Sequence, residues 1–195
     1  MWDPDQIVAL FDSLLKAYPI SSFLFRDIRP ENRDSWDVYK FVEHFRYGDT
    51  HNALADTDGR DVTLVLDGQQ RLTSLIVGLR GSYTVKLKNK RWDNPSAWEK
   101  RRLYIDLLKD PSTGDEEDRE DVGITYGLKF SGTEPVNSDR SLWIKVGTIL
   151  DYDSPDAFDK YKDALIGQLP DTFTRAQDKD SGAKPRSVVP GDLEG

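Results

Sequence analysis

Five consecutive residues carry most of the chemistry that this sequence offers. They separate two apolar stretches and read Asp67, Gly68, Gln69, Gln70 and Arg71. The stretch before them, VTLVL at 62–66, is typical of a β-strand, and the apolar spacing after them predicts a helix over 69–80. The five residues, hereafter the DGQQR segment, would therefore lie at a helix N-terminus, where unsatisfied N–H groups and the helix dipole attract anions.

Each residue of the DGQQR segment suits a phosphate ligand. Arg71 can offer a bidentate fork to phosphate oxygens, and Gly68 allows a ligand to approach the backbone closely. The amides of Gln69 and Gln70 can donate and accept hydrogen bonds, while Asp67 can hold a metal ion or orient water. We expect these side chains to share one solvent-reached pocket.

A structural interpretation also accounts for part of the segment. Asp67 as the helix N-cap, with Gln70 three residues later, fits a variant of the capping box. A cap needs one acceptor, so this interpretation leaves Gln69 and Arg71 unexplained. Thr73, one turn further along the helix, can line the same pocket or simply face solvent. Both interpretations stay open at this point.

Composition limits the kinds of protein that this chain can be. It has 195 residues, 37% of them hydrophobic and 32% charged, which is enough for one domain with a core. The formal net charge of −8 argues against non-specific wrapping of nucleic acid by the whole chain. The absence of cysteine from the sequence excludes disulfides and fits a cytoplasmic location, and the sequence has no apolar run of about 18 residues that would span a membrane.

The remaining pattern predicts an α+β fold. Helices are expected where apolar residues recur at helical spacing, at 5–17, 35–47, 69–80 and 154–168. Strands are expected at 21–26, 62–66, 82–88, 102–108, 124–130 and 141–146. Asp3 and Pro4 should start the first helix. The strand at 62–66 carries no charge, which favours a central position in its sheet, and the polar chain from Asp171 onward predicts a disordered tail.

A second candidate site lies at 86–102, KLKNKRWDNPSAWEKRR, where basic residues are interleaved with Trp92 and Trp98. Such a segment can hold a nucleic-acid backbone and stack bases. The structural alternative is a solvated hairpin loop whose tryptophans pack back onto the sheet, with long basic side chains covering apolar surface. The acidic run at 115–121 is expected to form a solvated loop, because adjacent carboxylates on a loop do not give the geometry that Mg²⁺ needs.

The sequence resembles one known family. VLDGQQRLTSL is similar to the signature of the N-terminal domain of GmrSD-type restriction endonucleases, and QIVALFDSLLKAYPISSFLF, RRLYIDLL, YGLKF and LWIKVGTIL follow the family's order. The similarity covers most of residues 2–150 and implies a ParB/sulfiredoxin-like fold, with a mixed sheet and flanking helices. It divides the chain into a GmrSD N-terminal-like domain at 1–150, the start of a helical extension at 151–170 and a tail at 171–195.

The resemblance implies a regulatory or sensor domain that binds and hydrolyses a nucleoside triphosphate, GTP, ATP or UTP, with Mg²⁺. It assigns the nucleotide site to Asp67, Gly68, Gln69, Gln70, Arg71 and Thr73. Within that set Asp67, Gln70 and Arg71 would be catalytic, and Asp67 would be the Mg²⁺ ligand. The implied context is a modification-dependent restriction or phage-defence protein. Its partners would be modified DNA and an HNH nuclease domain or subunit, with self-association through an unpaired strand edge.

Two departures from the family pattern lead us to expect a chain truncated at both ends. Of the family's initial P-x-Y-Q-R-x-x-x-W segment only Trp2 has a counterpart, and His44 and His51 do not lie in an HNH-like context. We therefore expect no nuclease active site in this chain. Two alternatives to the nucleotide-hydrolysing domain remain: a non-catalytic DNA-recognition module, in which the DGQQR segment holds a DNA phosphate, and an inactive fragment.

Overall fold

The structure, a computed structural model, describes residues 1–29, 37–49, 52–56, 61–109 and 124–169. Helices and strands follow in this order: α1 (Pro4–Leu15), β1 (Leu24–Ile28), β2 (His44–Arg46), β3 (Val62–Asp67), α2 (Gln69–Leu79), β4 (Ser82–Lys86), β5 (Trp98–Asp106), β6 (Gly127–Ser131), β7 (Trp143–Lys145) and α3 (Pro155–Ile166). Short 3-10 turns precede β5 and follow β7, at Pro95–Ala97 and Val146–Asp151. The chain divides into two compact units, Met1–Asp153 and Ser154–Gly195.

The strands of the first unit form two sheets, and their combination with helices confirms the predicted α+β class. β1 and β3 pair antiparallel as a two-stranded sheet, with Phe25 opposite Val65. The larger sheet has the order β2-β4-β5-β6, with β7 also paired to β5. Because the β2–β4 pair is parallel and the other pairs are antiparallel, this sheet is mixed. The ParB/sulfiredoxin-like arrangement stays a prediction.

The core of the first unit combines residues of α1 and α2 with residues of the larger sheet. Its buried members are Ile7, Val8, Phe11, Val77, Tyr83 and Leu103. The two helices approach so closely that a Cβ added at Gly78 would clash with the Phe11 ring. Burial raises the pKa of the Tyr83 phenol, because the ionised oxygen would lose its hydration there.

The start of α1 is the capped helix that the sequence predicts. The Asp3 carboxylate accepts a hydrogen bond from the Gln6 backbone N–H at 2.8 Å, and the Gln6 side chain accepts from the Asp3 backbone N–H at 3.0 Å. Pro4 occupies the first turn, where its missing N–H costs nothing. This reciprocal pair is a complete capping box.

A buried carboxylate ties α1 to the chain that leads into β6. Asp12 is almost fully buried, and its Oδ1 accepts hydrogen bonds from the backbone N–H groups of Thr125 and Tyr126, both at 2.8 Å. Its Oδ2 lies 2.5 Å from the Lys16 ammonium, one turn along α1. The charge is therefore both paired and hydrogen-bonded, which is the condition for burying it without a large penalty.

The helix predicted at 35–47 is wrong over its described part. Within residues 37–43, Tyr39 forms an isolated bridge with Leu54. Residues 44–46 form β2, which is parallel to β4. The ring of Phe45 lies 4.9 Å from that of Tyr83 in the core. Packing of this strand against β4 outweighs the helical spacing of its apolar residues. The residues chosen as a helix face instead line a concavity described below.

The central position predicted for the strand at 62–66 is also wrong. Among the described residues β3 pairs with β1 alone, and its side chains are half-buried or exposed. Its lack of charge is explained by the β1 pairing and by the concavity that Leu64 and Val65 help to line. Absence of charge therefore did not distinguish a central strand from a strand that lines a pocket.

The other elements have the predicted type, with shifted bounds. β1 begins at Leu24 and not at residue 21, because Ser21 has a φ of +70°, outside the strand region. β5 begins at Trp98, four residues before the predicted strand. The acidic run at 115–121 and the tail from Asp171 lie outside the described residues. No helix among the described ranges is long and apolar enough to cross a membrane.

The described part of the second unit is α3 and the turn after it. The Ser154 hydroxyl accepts a hydrogen bond from the Ala157 N–H at 3.3 Å and so caps the helix. The rings of Phe158 and Tyr161 lie 6.5 Å apart on its surface. A hydrogen bond from Lys162 to Asp159 raises the pKa of the Lys162 ammonium.

Candidate functional site

The predicted strand, turn and helix are present at the DGQQR segment, but the helix N-cap is Gly68 and not Asp67. Asp67 is the last residue of β3 and pairs with Leu24, so its backbone is held in the strand. Gly68 then turns the chain with φ +83° and ψ 11°. The capping interpretation of Asp67 and Gln70 is therefore wrong. Gly68 has no side chain to accept a hydrogen bond from the first N–H groups of α2.

Glycine at position 68 has a structural reason of its own. A φ of +83° lies in the left-handed region that residues with a Cβ rarely adopt. A Cβ at this position would also lie 2.5 Å from Cδ1 of Phe23. Both the backbone conformation and the packing against the Phe23 ring exclude other residues, so a ligand is not needed to explain Gly68.

Arg71 is largely occupied by the protein itself. Its guanidinium donates hydrogen bonds to the backbone carbonyls of Ile20 and Ser22, the latter at 2.8 Å. It also lies 3.4 Å from Oδ2 of Asp67 and 5.0 Å from the centre of the Phe23 ring. Only 15% of the side chain is exposed. These contacts use three of the five N–H groups of the guanidinium and attach the turn before β1 to the first turn of α2.

The side chains of the DGQQR segment do not share one pocket. Gln69, Gln70 and Thr73 line one concavity of about 490 Å³, which we call the polar concavity. Arg71 lines a second concavity of about 490 Å³, which we call the Arg71 groove. Asp67 is 69% exposed and belongs to the lining of neither. The predicted single pocket is wrong because Gln69 and Arg71, two residues apart, point about 200° apart and so lie on nearly opposite sides of α2.

The polar concavity combines hydrogen-bonding groups from three segments. Polar side chains at the start of α2, in the 37–40 segment and at positions 49 and 52 contribute to its lining: Gln69, Gln70, Thr73, Asp37, Lys40, Asp49 and Asn52. Its apolar wall includes Val42, Leu64 and Val65. A volume of this size lies within the range of about 300–1,000 Å³ that small-molecule sites occupy.

Hydrogen bonds inside the protein define which groups in the polar concavity can serve a ligand. The Gln69 amide nitrogen donates to the Val65 carbonyl at 2.8 Å, which leaves its second N–H as a donor and its amide oxygen as an acceptor. The Thr73 hydroxyl donates to the Gln69 carbonyl at 2.7 Å. Gln70 and Lys40 are exposed at the concavity. They can therefore offer an amide and an ammonium to an anionic ligand.

Lys40 and Asn52 were not identified from the sequence. Both lie on segments whose approach to α2 depends on the bridge between Tyr39 and Leu54. Residue 40 also fell within the wrongly predicted helix. Only pairing information could have placed these two side chains beside the start of α2, because neither belongs to a local motif.

The Arg71 groove is lined mostly by apolar residues and by the turn that ends α1. Its lining includes Trp2, Leu10, Tyr18, Pro19 and Ile20. Tyr18, Pro19 and Ile20 border this groove and not the polar concavity. A groove of this composition suits an apolar group beside a single cation.

The described residues contain no group of three or more histidine, cysteine, aspartate or glutamate side chains that could hold a metal ion. Mg²⁺ is commonly bound through one or two protein carboxylates together with the phosphates of a substrate. The exposed Asp67 carboxylate fits that role only beside a bound phosphate ligand. The described residues therefore form no metal site from protein groups alone.

Comparison with protein families identifies the family to which this chain is similar. Residues 1–178 match the family described as the N-terminal domain of the GmrSD restriction endonuclease. The match includes the DGQQR segment and both concavities. No protein with a curated description matches the chain.

Proposed function

Because the chain belongs to the family of GmrSD restriction endonuclease N-terminal domains, we propose that it is a regulatory domain that binds and hydrolyses a nucleoside triphosphate. Membership makes it a domain of restriction and phage-defence proteins. The observation that supports nucleotide binding is the polar concavity at the start of α2. In this proposal nucleotide binding controls an HNH nuclease domain or subunit that acts on modified DNA.

The phosphates would lie at the first turn of α2. The N–H groups of that turn follow a glycine that cannot cap them, and the helix dipole adds partial positive charge. The Gln70 amide and the Lys40 ammonium add donors beside that turn. Asp37 and Asp49 also line the concavity, so the triphosphate must avoid these carboxylates or share a cation with them. The apolar wall of β3 would take the base.

Asp67 and Arg71 would act differently from Gln70. Asp67 would hold Mg²⁺, which neutralises phosphate charge when bound. Arg71 already holds the carbonyls of Ile20 and Ser22, so it would position the first turn of α2 and add positive charge. Its direct phosphate contact stays a prediction that depends on its two remaining N–H groups. Gln69 would orient phosphate with its second amide N–H, while its amide oxygen and the Thr73 hydroxyl oxygen would accept hydrogen bonds from water.

Thermal unfolding with and without nucleotide tests this proposal. ATP, GTP and UTP would each be added with Mg²⁺ or with a chelator, since a ligand at about 100 times its Kd adds about 2.7 kcal/mol to the native state. We expect one or more nucleotides to raise Tm. Gln70→Ala should weaken the binding of that nucleotide about tenfold without lowering the Tm of the ligand-free protein. Gln168→Ala, a glutamine beyond α3, is the matched control.

The outcomes separate the steps of the proposal. If none of the three nucleotides raises Tm, nucleotide binding is wrong, and if Gln70→Ala responds like wild type, the polar concavity is the wrong site. Asp67→Asn tests the metal role, and it does so without removing a helix cap because Asp67 is not one. It should reduce the Mg²⁺-dependent part of the Tm shift and slow phosphate release about tenfold or more.

A further inference from the structure

Five side chains form a surface that the nucleotide proposal does not use. They come from the end of β2 and the residue after it, the end of β4, the loop that follows β4, and the start of β5. We call them the cation–aromatic face: Arg46, Tyr47, Lys86, Trp92 and Trp98. The Arg46 guanidinium lies 3.9 Å from the centre of the Trp98 ring, and the Lys86 ammonium lies 5.1 Å from that of Trp92. The Tyr47 and Trp92 rings are 6.4 Å apart and within 28° of parallel. Each of the two cations therefore lies over a ring, and Trp92 neighbours both other rings.

The two tryptophans of this face have different environments. Trp98 is half-buried, and its indole N–H donates to the Trp92 carbonyl at 3.3 Å, which holds the loop closed. Trp92 packs edge-on against Trp98 at 5.4 Å, yet 58% of it stays exposed. Tyr47 beside it is 55% exposed. The structural interpretation explains Trp98. It does not explain why two large neighbouring rings keep more than half of their surface exposed to water.

The loop that carries Trp92 is held in place from within. The Lys86 ammonium donates to the Lys90 carbonyl at 2.6 Å, and the Lys90 ammonium donates to the Ser96 carbonyl at 2.7 Å. The Asn94 side chain accepts from the Ser96 N–H at 2.9 Å. Trp92 is thus presented by an ordered loop, so its ring can be used by a ligand at little cost in conformational entropy.

The charge around the face is opposite to that of the whole chain. Residues 86–102 contain seven basic and two acidic residues, a net charge of +5 in a chain of net charge −8. One of the two acids, Glu99, is paired with Arg101 at 2.6 Å. The other, Asp93, lines the small concavity of about 340 Å³ between Arg46 and Trp98. The exposed cations of 86–102 include Lys88, Lys90, Arg91 and Lys100.

We propose that the cation–aromatic face binds an unpaired nucleic-acid strand, with bases stacked on Trp92 and Tyr47 and phosphates near the basic side chains of 86–102. Exposed rings favour unpaired bases, because the faces of paired bases are already covered by their neighbours in the duplex. Phosphates would be neutralised by exposed cations such as Lys88 and Arg91. This proposal rests on a different surface from the polar concavity and does not depend on nucleotide hydrolysis.

Fluorescence anisotropy of labelled oligonucleotides tests it with the full 195-residue chain. A twelve-residue oligo(dT), an oligo(rU) of equal length and a hairpin duplex would be titrated at low and at high salt. We expect a single strand to bind at least about tenfold more tightly than the duplex, and binding to weaken with salt because phosphates are neutralised. The preference between oligo(dT) and oligo(rU) identifies which kind of strand the face accepts.

Three substitutions isolate the stacking contribution. Trp92→Ala and Tyr47→Ala should each weaken single-strand binding about tenfold, the usual effect of losing one stacked base, and Trp92→Phe should restore part of it. Trp143→Ala is the matched control, because the Lys129 ammonium lies 3.8 Å from its ring outside the face. The circular dichroism spectra must stay unchanged. Equal binding by wild type, Trp92→Ala and Tyr47→Ala, tighter binding of duplex, or an equal loss in Trp143→Ala would each overturn the proposal.

Discussion

The two helices of the first unit start with the same pattern and end up with different N-termini. At α1, Asp3 precedes the helix and Gln6 lies in its first turn, three residues later. At α2, Asp67 and Gln70 have the same spacing. At α1 the two side chains bind each other's backbone and close the helix end. At α2 the aspartate is outside the helix, and the glutamine lines an open concavity.

The cause of the difference is what precedes each helix. Asp3 has φ −74° and ψ 169° and is not in a strand, so it can turn its carboxylate back over the first turn. Asp67 is fixed by pairing with Leu24, and Gly68 inserts a left-handed residue between strand and helix. A capped end has its polar groups satisfied within the protein, whereas an end that begins with glycine keeps N–H groups for other acceptors. This difference supports a ligand at α2 and not at α1.

The largest loss of stability should come from replacing Gly68, the residue that leaves the N-terminus of α2 without a side-chain cap. In Gly68→Ala the alanine would have to adopt the left-handed backbone conformation of this position, and its Cβ would lie 2.5 Å from the Phe23 ring. We expect the free energy of unfolding to fall by about 3 kcal/mol, from backbone strain and overpacking together. Urea denaturation measures it. The same substitution in a Phe23→Ala background should cost about 1 kcal/mol less, and equal costs in both backgrounds would show that the Phe23 contact is not responsible.

A smaller effect is expected at Arg71. Arg71→Ala removes the charged donor from the carbonyls of Ile20 and Ser22, and one part-buried carbonyl would then lack its partner. Unfolding free energy should fall by about 2 kcal/mol, since hydrogen bonds from charged groups contribute roughly 1.5–3 kcal/mol. Arg71→Lys should lose less, because one carbonyl can still be reached. A stability equal to wild type for Arg71→Ala would mean that the turn before β1 is held by other contacts.

The smallest effects compare the two aspartates directly. Asp3→Ala should lower the free energy of unfolding by about 1 kcal/mol through loss of the cap. Asp67→Ala should lower it by less than about 0.5 kcal/mol, because its 3.4 Å contact with Arg71 is a surface pair. Thermal and urea unfolding of both variants, without nucleotide, measure the difference. If Asp67→Ala costs as much as Asp3→Ala, Asp67 has a structural role that its geometry does not reveal.

The sequence predicted local structure well and placement poorly. Apolar spacing located α1, α2 and α3 within two residues, because each helix is set by contacts between neighbours in sequence. The 37–46 region was misread, since its conformation depends on pairing with Leu54 and with β4. The division of Gln70 and Arg71 between two concavities, and the N-cap at Gly68, also depend on what lies across from α2. The carbonyls that hold Arg71 could not have been found from its own neighbours in sequence.

The buried Asp12 carboxylate has a consequence for a chain that is being made by the ribosome. Its N–H partners at Thr125 and Tyr126 are 113 and 114 residues away, so at translation speeds of about 5–20 residues per second they are made roughly 6–23 s after Asp12. Lys16 follows only four residues later, and it can neutralise the carboxylate as soon as one turn of helix forms. Lys16 thus gives the Asp12 charge a partner within α1 before the chain that leads into β6 has been synthesised.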